Sequence, residues 1–213
     1  MAYDLQEQEQ IDELKAFWKR YGNFLMTVIT LVLLAIAGWR GWGWWQARQA
    51  AEASAIYDQL RAAVTAKDTG RVRESAGAIF EKYGSTVYGQ MAALLAARAY
   101  LDAGDAKAAR VPLQWAIDHA SDDSFRHIAR IRLAGVLLDE KALDQALGLL
   151  SASPPERFQG LYADRRGDIL LMQNKPAEAR AEYRKALEKL ALDSPLRSVV
   201  QMKLDALGVQ EGA

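Results

Sequence analysis

Nineteen consecutive residues, Tyr21 to Trp39, contain no Asp, Glu, Lys or Arg, and no other stretch restricts the possible folds so strongly. As an α-helix the run rises roughly 28 Å, close to the hydrocarbon thickness of a bilayer. Between Phe24 and Ile36 lie four Leu, two Ile, two Val and one Phe, which favour insertion by roughly 4 kcal/mol in total. Asn23 and Thr27 oppose this only weakly. The run is followed by GWRGWGWW, which holds four of the six tryptophans of the chain. Indole rings prefer the wet boundary of the hydrocarbon, so Trp39, Trp42, Trp44 and Trp45 mark where a helix leaves the membrane. Trp18 marks the opposite boundary, and Arg40 can extend its long side chain to the headgroups.

The flanks predict an orientation. Lys15, Lys19 and Arg20 precede the span, against Arg40 and Arg48 after it. Positive charge is retained in the cytoplasm, so residues 1–20 are expected inside and the large C-terminal part outside. A cleaved signal peptide is the competing reading, because Ala35-Ile36-Ala37 has a small-x-small pattern. The long acidic lead-in (Asp4, Glu7, Glu9, Asp12, Glu13) and the length of the span favour an uncleaved anchor. Within the lead-in, Leu5, Ile11, Leu14, Phe17, Trp18 and Tyr21 recur at three- and four-residue steps, the pattern of an amphipathic helix.

From residue 46 onward the composition changes to Ala, Leu, Arg and Glu, which favours helices throughout. Turn signals divide it: DTGR at 68–71, AGD at 103–105, SPP at 153–155, QNKP at 173–176 and DSP at 193–195. In RGDILLMQNKPAEARAEYRKAL, the residues Gly167, Leu170, Ala179, Tyr183 and Ala186 have tetratricopeptide spacing. Two looser units place Ala97, Tyr100, Ala109, Leu113 and Ala116, then Ala134, Leu137, Ala146, Leu150 and Ser153, at the same positions. A fourth centres on Ala76 and Phe80. The small residues allow two helices to approach closely, and recurrence of the unit is the signature of a stacked array. The segment after Pro195, with Leu196, Val199, Val200, Leu204 and Leu207, is expected to cap it. The fold class is therefore all-α: a single N-terminal transmembrane helix followed by a tetratricopeptide-like helical-repeat array. The predicted divisions are a cytoplasmic segment at 1–20, a transmembrane helix with its aromatic exit at 21–45, and the array with its capping helix at 46–213.

Little in the sequence suggests catalysis. Phosphate-binding loops, HExxH and GxSxG are missing, and there is no cysteine. The two histidines, His119 and His127, read as surface residues, and Asp122 and Asp123 between them as a polar loop between repeats. Arg126, Arg130 and Arg132 read as a solvent-facing helix surface. No catalytic residue, metal ligand or cofactor is expected. Twenty-seven basic residues balance twenty-seven acidic ones, which removes the electrostatic drive toward nucleic acid. What remains is protein binding. Leu101, Leu138 and Leu171 occupy equivalent places along the first helices of three repeats, either facing a groove or buried between helices. Arg98, Asp164, Asp168 and Met172 are expected nearby.

The acidic start with EQEQIDELKAFWKRYGN, the single span, the GWRGWGWW exit and the alanine-rich repeats together resemble the YfgM family, ancillary subunits of the bacterial Sec translocon. The resemblance implies a single-pass inner-membrane protein with a periplasmic domain. It further implies partners in SecYEG and in a membrane-anchored periplasmic chaperone of the prolyl-isomerase-like type, with unfolded client polypeptides passed between them. A scaffold for another envelope assembly, such as division or outer-membrane biogenesis, and an enzyme on a helical scaffold are the alternatives that the residues alone leave open.

Overall fold

The computed structural model describes residues 2–208, without the side chains of residues 2–10 and 12–14; the apolar positions expected at Leu5 and Leu14 therefore lie outside the described side chains. The described residues form nine helices: α1 (Ala2–Thr65), α2 (Thr69–Tyr83), α3 (Val87–Asp102), α4 (Ala106–His119), α5 (Asp123–Asp139), α6 (Leu143–Leu149), α7 (Glu156–Met172), α8 (Pro176–Lys189) and α9 (Leu196–Ala206). The chain divides into two units, residues 1–49 and 50–213.

The first unit is helical from Ala2 onward. Among the described residues, its helix is the one long and apolar enough to cross a membrane. The large apolar side chains of the span are exposed, Phe24 and Leu34 by 70 % and 63 %, as they must be if lipid is their solvent. Its hydroxyls are satisfied internally: Thr27 donates to the Asn23 carbonyl and Thr30 to the Met26 carbonyl, both at 2.8 Å. Such back-bonding lets a threonine sit in hydrocarbon without an orphaned hydroxyl. After the apolar run, the Trp42 and Trp45 rings lie 5.2 Å apart and the Arg48 guanidinium sits over Trp44. On the other flank Phe17 and Tyr21 rings are 5.1 Å apart.

In the second unit the helices pack in sequence order as hairpins. The last turns of α1 pair with α2 around Leu60, Val72 and Ile79, α3 with α4, α5 with α6, and α7 with α8. One backbone device closes every hairpin. The middle residue of each three-residue turn is left-handed: Lys67 (φ 56°), Gly104 (75°), Lys141 (61°) and Asn174 (63°). The residue after it donates back across the turn, Asp68 to Ala63, Asp105 to Tyr100, Ala142 to Leu137 and Lys175 to Leu170, at 2.8–3.0 Å. These bonds satisfy carbonyls that a helix end would otherwise leave open. The left-handed residues stand 37, 37 and 33 residues apart, so four hairpins share one frame. Two of the following helices are capped by aspartate, Asp68 accepting from the Arg71 amide and Asp105 from the Ala108 amide.

The small positions expected to permit close crossings are buried: Ala97, Ala109, Ala116, Ala134, Ala146, Ala179 and Ala186. Leu113, Leu150 and Tyr183 fill the space between them. Ser153 is a correction. It was expected to be the last small position of the third unit, but α6 ends at Leu149 and Ser153 is exposed in the following loop. Pro154 disfavours a helical conformation at Ser153, and neither Pro154 nor Pro155 has an N–H to continue the helix.

Candidate functional site

In the hairpin frame Leu101, Leu138 and Leu171 stand at one position, with Val64 as its fourth member. Each accepts the amide of its left-handed turn residue, at 2.9–3.0 Å. Their surroundings differ. Leu101 and Leu138 are partly buried against the core, whereas Leu171 and the adjacent Met172 are exposed by 41 % and 53 %. Arg98 lies at the surface, its Nε donating to both Asp102 oxygens at 2.7 and 2.9 Å.

Asp164 and Asp168, one turn apart on α7, face the C-terminal helix. The Lys203 ammonium from α9 lies 2.7 Å from an oxygen of each. Asp168 also accepts from the Tyr183 hydroxyl at 2.9 Å and pairs with Arg165 at 3.3 Å. Burial raises the Asp164 carboxyl above the usual carboxylate range, Lys203 opposes this, and the neighbouring Asp168 charge adds to it. Burial likewise pushes the Tyr183 hydroxyl up, aided by Asp168. Two further links hold α9: Arg197 donates to the Leu187 and Leu190 carbonyls, and Arg180 donates to those of Leu207 and Gly208. The two aspartates thus bind the chain's own last helix.

His127 differs from the surface position expected for it. It is buried, stacked on Phe158 at 5.0 Å, and shares a 2.7 Å hydrogen bond between Nδ1 and the Tyr162 hydroxyl. His127 shares one face of α5 with Ile131, Ala134 and Leu138, which pack in or against the core, and goes inward with that face. Burial lowers its pKa below 6.5, Arg130, Arg157 and Arg126 act in the same direction, and Asp123 opposes them. The folded protein therefore holds the proton less tightly than the unfolded chain. The stability His127 contributes is complete above pH 6.5 and falls as pH drops below it. Melting curves of the full chain recorded between pH 8 and pH 5 are expected to shift downward below about pH 6.5, and His127→Gln should reduce that slope. An unchanged slope in the variant would place the pH sensitivity elsewhere.

Trp115, the tryptophan away from the span, is a packing residue. It stacks on Phe80 at 4.4 Å and on His119 at 5.0 Å. A Cβ on Gly89 would lie 2.9 Å from its ring. The described residues contain no group of three or more His, Asp or Glu able to hold a metal ion. Trp39, Arg40, Trp42, Trp44 and Trp45, expected at the membrane exit, are exposed, as is Trp18.

A membrane-length apolar helix joined to four stacked hairpins and a cap defines a membrane-anchored repeat protein. Residues 15–209 match the sequence profile of the tetratricopeptide repeat-like domain. The chain is 31 % identical to the ancillary SecYEG translocon subunit of Neisseria gonorrhoeae, over 97 % of its own length and all of the relative's. It is 30 % identical to the protein of the same name in Haemophilus influenzae, over 87 % of this chain and 91 % of that one. With the Escherichia coli protein of that name the identity is 29 %, over 95 % and 97 %. The chain belongs to the YfgM family of ancillary SecYEG translocon subunits.

Proposed function

We propose that this chain is a single-span scaffold of the bacterial inner membrane that binds SecYEG and a membrane-anchored periplasmic chaperone, and helps translocated polypeptides pass from one to the other. The observation that carries the reading is the breadth of the similarity to ancillary SecYEG translocon subunits, which covers span and array together. In this reading residues 1–20 are cytoplasmic, residues 21–45 cross the membrane, and residues 46–213 lie in the periplasm. The span raises the local concentration of the array beside its membrane partners, and the hairpins offer an extended surface for a chaperone or client. The protein's contribution is binding rather than catalysis.

A reporter that is active only in the periplasm, fused after Ala213, is expected to be active, because the Lys15, Lys19 and Arg20 flank holds the N-terminus inside. An inactive fusion on a normally expressed chain would reverse the orientation. Affinity isolation from mildly solubilised membranes is expected to recover SecYEG and the chaperone together. Recovery of a division or outer-membrane assembly apparatus in their place would move the scaffold to that assembly.

A further inference from the structure

Between the first two hairpins lies a cavity of about 330 Å³, with an apolar wall that includes Val64, Val72 and Ala99 and a polar rim of Lys67, Arg98 and Asp102. The hairpin frame puts it there. Lys67 is the left-handed residue of the first turn, and Arg98 and Asp102 stand at the C-terminal end of α3. Asp102 holds Arg98 through Nε alone, which fixes the guanidinium plane. Its two Nη groups have no partner among the described residues. The Lys67 ammonium likewise has no ion-pair partner among the described residues. On a chain of zero net charge, the lining carries two cations, Lys67 and Arg98, against one carboxylate, Asp102.

We propose that this cavity is a docking pocket for a glutamate side chain on a segment of a partner protein, with its methylenes against Val64 and Ala99 and its carboxylate on Lys67 and Arg98. A planar guanidinium with two free nitrogens matches a carboxylate. The adjoining apolar wall selects an occupant that has an apolar stem behind its charge, which a small free anion lacks. Pockets that combine an apolar lining with a few convergent polar groups are the usual form of a recognition site. The inference rests on the reading of the array as a capture surface and gives that surface a chemistry.

The test uses the full chain in lipid nanodiscs and a fluorescent peptide, blocked at both ends, with a central glutamate flanked by alanine and leucine. Binding is read by anisotropy against empty nanodiscs. The glutamate peptide is expected to bind about tenfold or more tightly than its glutamine counterpart, the worth of one charge-assisted contact. Added salt should narrow the difference. Lys67→Gln and Arg98→Gln should each reduce the preference, and Arg98→Glu should transfer it to a peptide carrying lysine at the centre. Both positions are exposed, and circular dichroism is the check that the variants fold. Equal binding of the two peptides, no binding of either, or a full preference in Arg98→Gln would overturn the proposal. So would a glutamine peptide with a free C-terminal carboxylate that binds as well as the glutamate peptide, since the occupant would then be a chain end. Translocon recovery by the unmodified chain is measured separately and bears on the scaffold reading alone.

Discussion

Gly167→Leu is expected to destabilise the fourth hairpin by about 3 kcal/mol, the upper end of what overpacking costs. A Cβ at Gly167 would lie 2.5 and 2.6 Å from two carbons of the Tyr183 ring. That ring cannot easily move: it is fully buried, and its hydroxyl is bonded to Asp168. Even Gly167→Ala therefore meets the ring, and leucine adds three more carbons. Gly77→Ala is the control. It also lies inside a helix, α2, but an added Cβ has nothing within 4 Å, so the change should be neutral or stabilising by up to about 1 kcal/mol. Thermal and urea unfolding of the two variants, with helicity as the signal, separate the cases. A Gly167→Leu protein that melts like the unmodified chain would remove the close crossing of α7 and α8 from the fold.

The second large effect is expected at Lys203→Met. The lysine serves Asp164 and Asp168 together, and Asp164 is buried. Removing one partner of a buried pair leaves a charge without compensation, which typically costs 3–5 kcal/mol. The Lys203 side chain keeps some solvent contact, so a loss of about 2–3 kcal/mol is expected, below that range. Combining Lys203→Met with Asp164→Asn should recover part of the loss, because the buried charge is then absent. Simple additivity of the two single changes in urea unfolding would show that Lys203 and Asp164 do not act on each other.

These two sites also show how far the sequence could be read. The Gly167–Tyr183 crossing was legible because a small residue and a large one recur at a fixed spacing (Ala97 and Leu113, Ala134 and Leu150, Gly167 and Tyr183), and packing demands that pair. The array could be followed back only as far as Ala76 and Phe80. Its first hairpin also uses the end of α1, where Leu60 and Ala63 are buried, and nothing in WQARQAAEASA separates that stretch from the helix before it. The glycines at 38, 41 and 43 do not interrupt α1 either. Asp164 and Asp168 were read as neighbours of a groove. Their partner Lys203 lies on a different helix, and pairing at that separation in sequence has no local signature. His127 was misread for a related reason. Residue type suggests the surface, whereas its place on an alanine- and leucine-bearing face, with an aromatic hydroxyl from α7 to meet it, decides for the interior. The left-handed turns were half legible: AGD and QNKP contain Gly104 and Asn174, residues suited to positive φ. Lys67 and Lys141 hold the same conformation with no hint in their identity.

The short α6 has a mechanical consequence. In the third hairpin the second helix stops at Leu149 and is followed by a proline-containing loop, so the layer of second helices is thinnest between α4 and α8. Beyond that point α7, α8 and α9 share a core cluster around Ala163, Leu170, Tyr183 and Val200, and α7 alone reaches back, with Phe158, Tyr162 and Ile169, into the core before it. In a solenoid each unit leans on its neighbours alone, so tension applied along the array concentrates at its narrowest joint. An array pulled from its two ends would yield first at that joint, with the C-terminal block peeling off as one piece while the preceding hairpins stay folded.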